Sequence, residues 1–137
     1  MKTLAIIEAL AKLVVPTVAL VLIVGWWWRS RQTPDASAAA TVDARELCDA
    51  YSQNEVAADQ TFKDKSVLVT GVVNGIVSGS GGASVDLYCA GADVSAEFNE
   101  DQRTFVATLK DGDPVALLCL GDGAALGPRL RACRKAE

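Results

Sequence analysis

The chain opens with short apolar blocks separated by single charges: Leu4–Ile7, Glu8, Ala9–Ala11, Lys12. From Leu13 to Trp28, sixteen residues follow without a charge. Such a run exceeds the one apolar stripe that a helix on a globular core needs, and a membrane-crossing helix takes about 20 mainly apolar residues. Residues 9–28 reach that length if Lys12 extends its stem toward the headgroups. Glu8, four residues earlier, shares its helix face there. Pro16 is tolerated near the start of such a helix. Trp26, Trp27 and Trp28, followed by Arg29 and Arg31, match an interfacial aromatic belt with a charged stop. We therefore expect residues 1–28 to be an uncleaved transmembrane anchor. A cleavable signal peptide ending at Ala36-Ser37-Ala38 is one alternative, although that site lies beyond three tryptophans and two arginines. A buried core helix is the other. A lipid anchor is disfavoured because the first cysteine, Cys48, lies far beyond the apolar run. Lys2 and Lys12 on one side balance Arg29 and Arg31 on the other, so loop charge assigns no orientation.

Residues 29–43, RSRQTPDASAAATVD, are small and polar without apolar periodicity, and predict a flexible linker. Asp43 is placed to cap a helix, with Glu46 at the reciprocal position. From Ala44 to about Gln60, Leu47, Ala50, Tyr51, Ala57 and Ala58 recur at helical spacing. The period then changes. Ser66–Val77 is β-branched with Gly71 and Gly75 inside it, as at a bulge or barrel bend. Ser78–Gly82 predicts a hairpin loop, Ala83–Cys89 and Val94–Phe98 two strands, and Asn99 with Gln102 a capped helix over Glu100–Leu109. A turn at Lys110–Asp113 leads into a strand over Pro114–Leu120, and a glycine-rich loop into a last strand over Leu126–Arg134. The order is one helix, three strands, a helix and two strands. That is the plan of a mainly β, five-stranded OB-fold barrel over residues 44–137, behind a single transmembrane helix.

Composition now narrows the function. Half of the 137 residues are hydrophobic, an ordinary globular fraction, but much of the excess lies in the first 28. Of 13 basic and 17 acidic residues, four and two fall in the first 40, so residues 41–137 hold nine basic against fifteen acidic. The chain has no histidine, which removes histidine-based triads, histidine metal sites and imidazole acid–base chemistry. An acidic domain also lacks the positive footprint that phosphate backbones require. Asp111 with Asp113 is explained by turn chemistry, and Glu100 with Asp101 by the charge preference of a helix start. Gly79, Gly81, Gly82 and Gly91 follow no phosphate-binding spacing. We expect no catalytic residue, no cofactor and no metal site.

The spacing Leu47-x3-Tyr51-x2-Asn54-x3-Ala58-x3-Phe62-Lys63-x-Lys65-x-Val67-x-Val69-Thr70-Gly71-x-Val73-x2-Ile76 resembles the signature of tRNA_anti-like OB domains. Leu109-Lys110-x-Gly112-Asp113-x-Val115, Cys119 and Leu130-x2-Cys133 continue the resemblance, which covers about residues 44–135. Members often follow an N-terminal membrane or export segment. One departure is strand three, which often reads Val-x-Cys-x-Phe in such domains and here reads Val94-Ser-Ala96-Glu-Phe98. Cys89 therefore inherits no role from that motif.

The four cysteines permit three complete pairings and contain no Cys-x2-Cys zinc pair. The resemblance and the barrel plan together favour a Cys119–Cys133 bridge between the last two strands, with Cys48–Cys89 as a second. Four reduced, buried thiols are the alternative. If the bridges form, the domain faces an oxidising space and the chain is oriented N-in, at the inner membrane with its C-terminal domain in the periplasm or outside the cell.

OB domains that bind single strands use a positive groove and aromatic stacking platforms. Here strands two and three offer Tyr88 and Phe98 among Asp86, Asp93 and Glu97. The basic cluster Arg129, Arg131, Arg134 and Lys135 lies on the last strand and tail. We expect a membrane-tethered, non-catalytic module that binds a protein or small envelope ligand, with Tyr88, Arg129 and Arg131 as candidate contacts. Single-stranded nucleic-acid binding is a second reading. A phage-type exclusion or envelope-guard role is a third, resting only on small size and one anchor.

Overall fold

The computed structural model describes residues 16–27 and 32–137, which belong to two units, Met1–Gln32 and Thr33–Glu137. In the first, residues 16–27 form a helix, α1, with exposed side chains that include Leu20, Leu22, Ile23 and Trp26. Its twelve residues rise about 18 Å against the roughly 30 Å of a hydrocarbon core. Among the described residues no helix is long and apolar enough to cross a membrane. The expected span also takes in residues 9–15 and 28, which lie outside the described residues, as do Arg29 and Arg31 of its charged stop.

In the second unit the expected linker is partly built into the fold. A 3-10 turn at Ala36–Ala38 is capped by Asp35, whose carboxylate accepts the Ser37 N–H at 3.0 Å. β1 (Ala40–Asp43) then lies parallel to β2 (Ser66–Gly79), from Ala40 opposite Val67 to Asp43 opposite Thr70. Pro34 is buried, and the Asp35 N–H donates to Ser66 Oγ at 2.7 Å. The cause is local pairing and burial. Val42 drops into the core, and the backbone beside it completes a stretch of β2 edge that would otherwise be unpaired.

Asp43 starts α2 (Ala44–Gln53) as expected: its carboxylate accepts the Arg45 N–H at 2.9 Å, and its own N–H meets Glu46 Oε2 at 3.5 Å. The single helix expected over 44–60 is broken at Asn54. There the backbone turns extended, and the amide oxygen accepts the Ala57 N–H at 3.1 Å, capping a second helix, α3 (Glu55–Phe62). A short polar side chain that satisfies the backbone in this way competes with helix continuation.

The barrel comprises β2, β3 (Gly82–Leu87), β4 (Val94–Asn99), β5 (Pro114–Ala124) and β6 (Pro128–Lys135). β2 is the long bent strand. Ser66–Val72 pairs antiparallel with β5, and Val73–Gly79 pairs antiparallel with β3 after a register shift between Val73 and Gly75. β4 pairs antiparallel with β3 and parallel with β6, and β6 pairs antiparallel with β5, so these five strands close on themselves with β1 outside. The shift at Asn74 is what lets one strand serve two partners.

Several boundaries differ from expectation: β5 runs on through Gly121–Ala124, where a glycine-rich loop is expected, and β3 stops at Leu87 rather than Cys89. The hairpin joining β2 to β3 needs only Ser80 and Gly81. Gly82 ends it at φ 151°, where a Cβ would lie 1.9 Å from the Phe98 carbonyl. The helix expected over 100–109 is a 3-10 turn at Glu100–Gln102 and one turn of helix, α4 (Arg103–Val106), and neither Asn99 nor Gln102 makes a side-chain capping bond. β-Branched Thr104, Val106 and Thr108 weaken that helix, and Val106 is drawn into the core. β6 begins at Pro128, leaving Leu126 in the loop before it.

Inside the barrel Leu47, Val67, Val69, Val73, Val85, Leu87, Val94, Leu117 and Leu130 are all but fully buried. Each contributes on the order of 1.5–3 kcal/mol of transfer free energy. Two disulfides complete the unit. Cys119–Cys133 joins β5 to β6 within this core, and Cys48–Cys89 ties α2 to the chain leaving β3.

Candidate functional site

Alternation along the strands sorts the barrel's two faces. On β3 and β4 the residues Val85, Leu87, Val94, Ala96 and Phe98 point inward, leaving Ser84, Asp86, Ser95 and Glu97 on the outside. Register brings the outer set together: Ser84 opposes Glu97, Asp86 opposes Ser95, and Ser95 opposes Arg129 of β6. Ser84 and Ser95 share a hydrogen bond at 3.1 Å between their hydroxyls. Arg129 donates to Glu97 Oε1 at 2.6 Å. That bond, with the carboxylate's charge, holds the guanidinium above its ordinary proton affinity. Asp93 accepts from Asn74 at 2.6 Å and from the Cys89 N–H at 3.2 Å. Among the described residues the Asp86 carboxylate forms no hydrogen bond or ion pair, and it lies over Gly75 opposite, with Oδ2 3.5 Å from where a Cβ there would stand.

Asp86, Asp93, Ser95, Glu97 and Arg129 border a groove of about 550 Å³, walled on one side by the β5–β6 loop. Three carboxylates and one paired guanidinium line it, so the groove is net negative. It presents no aromatic ring. Phe98 is core, packed on Phe105 with ring centroids 6.0 Å apart.

The three candidate contacts are not brought together. Arg129 lies in the groove, paired as described. Tyr88 lies past the end of β3, half exposed, with the Arg45 guanidinium 5.8 Å from its ring centroid. Together with Asp43, Gly71 and Val72 the two border a separate hollow of about 310 Å³. Arg131 is on neither surface, because its guanidinium bridges Asp64 at 3.2 Å and Asp122 at 3.5 Å where α3 meets the β5–β6 pair. Strand alternation could have separated Arg129 from Phe98. Arg45 could not have been found, because its closeness to Tyr88 depends on how α2 docks. Leu126 lies in the loop between β5 and β6, not on the last strand, and the small residues Ala125 and Gly127 beside it are the local sign of that loop.

On α2, Tyr51 donates to Asp59 Oδ1 at 3.0 Å across the break at Asn54. Partial burial, then the hydrogen bond and charge of Asp59, push its phenol well above the ordinary tyrosine range. Among the described residues no group of three or more cysteine, aspartate or glutamate side chains is arranged to hold a metal ion.

A five-stranded closed barrel with a capping helix and an open groove on its outer face defines a small OB-type domain. The sequence model of the tRNA_anti-like family matches residues 1–134, and the chain belongs to that family. No curated protein matches it. Among solved structures, it is similar to a protein of Klebsiella pneumoniae described as a putative nucleic acid-binding lipoprotein, at 17% identity and TM-score 0.61, covering 72% of this chain and 92% of that one. It is also similar to a putative aspartyl-tRNA synthetase of Leishmania major, at 13% identity and TM-score 0.52, covering 77% of this chain and 21% of that one. Both likenesses concern the fold.

Proposed function

We propose that this chain is a non-catalytic binding module, tethered to the inner membrane through residues 9–28, whose barrel takes a protein or small ligand on the oxidising side of that membrane. The observation that carries the reading is the outer groove. Among the described residues it has no stacking ring, its one arginine is neutralised by Glu97, and Asp86 is left uncompensated. A phosphate backbone entering it would meet repulsion where single-strand binders supply positive charge and aromatic platforms. The two disulfides support an orientation with the domain outside the reducing cytoplasm. Membrane fractionation of cells, with thiol labelling of unreduced protein, tests location and orientation: extraction by carbonate alone would end the tethered reading, and four reactive cysteines would end the placement on the oxidising side.

Single-stranded nucleic acid is the second reading, favoured by the likeness to the Klebsiella protein and by Arg45 above Tyr88. A mobility shift with single-stranded DNA at low salt decides between the two. No shift is expected. A salt-sensitive shift lost in Arg45→Ala/Tyr88→Ala would replace the first reading with the second, and crosslinked co-purification from cells would then identify the partner class.

A further inference from the structure

One apolar side chain in the barrel unit stands apart from the rest. Leu126 is 97% exposed, the most exposed large hydrophobic residue among those described. Its loop is not loose. The Ala125 N–H donates to the Gly127 carbonyl at 3.1 Å, and Gly127 packs so closely on the 92–93 backbone that a Cβ there would lie 2.7 Å from the Asp93 carbonyl oxygen. The fold thus holds a bare leucine at the rim of the groove described above, beside the floor formed by Asp86, Ser95 and Glu97. Farther along the same outer surface of β2 and β3, Val77 is also exposed, opposite Ser84. An aliphatic side chain fixed in water on a short braced loop is the geometry of a docking anchor, because burial on a partner recovers transfer free energy without ordering a flexible segment.

The charge around the anchor selects the partner. Glu97 is satisfied by Arg129 and Asp93 by Asn74, while among the described residues Asp86 has no counterion. The surrounding domain holds nine basic residues against fifteen acidic, so its field draws cations toward the groove and repels phosphates. We propose that the groove between Leu126 and Asp86 is a docking surface for a basic polypeptide segment, which pairs an arginine or lysine with Asp86 and covers Leu126 with an apolar residue. This rests on the reading of the barrel as a module for ligands other than nucleic acid, and names its partner. Complementary charge sets the encounter rate and register, and the leucine supplies the desolvated centre.

The test uses the full chain in a non-ionic detergent and three fluorescent probes followed by anisotropy. One is a short peptide alternating arginine with serine around a central leucine, the second is the same peptide with glutamate for arginine, and the third is a short oligothymidylate. The basic peptide is expected to bind and the acidic one not. Asp86→Lys is expected to weaken binding about tenfold and Leu126→Ser about fivefold, both with unchanged circular dichroism, since both side chains sit on the surface. Equal binding of the two peptides, or wild-type affinity in both variants, overturns the proposal. Failure of the basic peptide together with failure of the oligonucleotide overturns this docking surface while leaving the broader reading intact. Oligothymidylate binding that Asp86→Lys strengthens overturns both.

Discussion

Three glycines allow one chemical change, the addition of a methyl group, to be made in three physical settings. At Gly81, in the two-residue hairpin, an added Cβ meets nothing within 4 Å. At Gly112 it also meets nothing, but the backbone sits at φ 90°, which strains any L side chain. At Gly121 it would lie 1.9 Å from the Phe62 carbonyl oxygen and 2.6 Å from its carbon, and neither atom can rotate away. Gly121 also donates to Lys65 O at 3.0 Å and accepts from Asp64 at 2.9 Å, so the end of α3 cannot move off without losing both bonds. Gly81→Ala should be neutral or stabilising by up to about 1 kcal/mol, through loss of unfolded-state freedom. Gly112→Ala should cost about 1–2 kcal/mol from left-handed strain alone. Gly121→Ala combines overpacking with two hydrogen bonds, together about 3–5 kcal/mol. Against a typical total of roughly 5–15 kcal/mol, the last is a large fraction. Urea unfolding of the full chain in non-ionic detergent, read by far-ultraviolet circular dichroism, gives the three midpoints. The close approach of α3 to β5 is refuted if Gly121→Ala unfolds within about 1 kcal/mol of Gly81→Ala.

Unreduced native protein should show no alkylated cysteine by mass spectrometry, and Cys119→Ala/Cys133→Ala should lose on the order of 3 kcal/mol for the 14-residue separation. Four labelled cysteines would refute both bridges. Tyr51 has its folded-state proton affinity raised by burial and by Asp59, so its share of stability is constant below about pH 10 and falls as pH rises through the folded value. Tyr51→Phe should flatten the alkaline slope of a pH-dependent melt, and an unchanged slope would remove the Tyr51–Asp59 bond from the account. The Arg129–Glu97 pair is nearly half exposed on both sides, so Glu97→Gln should cost under about 1 kcal/mol of stability. A larger loss in urea would mean the pair braces the barrel as well as neutralising its face.

Much of the barrel was legible because strand period and turn residues are local signals. Val85 and Leu87 against Ser84 and Asp86 announce the inner and outer faces of β3, and Asp43 with Glu46 announces the start of α2. Where local signals competed, the reading slipped. Asn54 could sit in a helix or cap one, and the choice fell to Tyr51 reaching Asp59 across the break. Leu126 reads as strand by composition, but Gly127 has to pass against Asp93, and that contact ends the pairing and turns the leucine outward.

By itself the sequence determined the succession of the five barrel strands, the division between an apolar N-terminal run and an acidic barrel, and the lack of histidine side chains, because each depends on residue type or on spacing within one segment. Tertiary structure alone decided that Thr41 and Val42 add a sixth strand, that Tyr88 meets Arg45 rather than Arg129, and that Arg131 is spent on Asp64 and Asp122. All but the Arg131–Asp122 pair join residues more than twenty positions apart. Closure of the barrel sets which side chains share a surface, and the sequence carries no local mark of it.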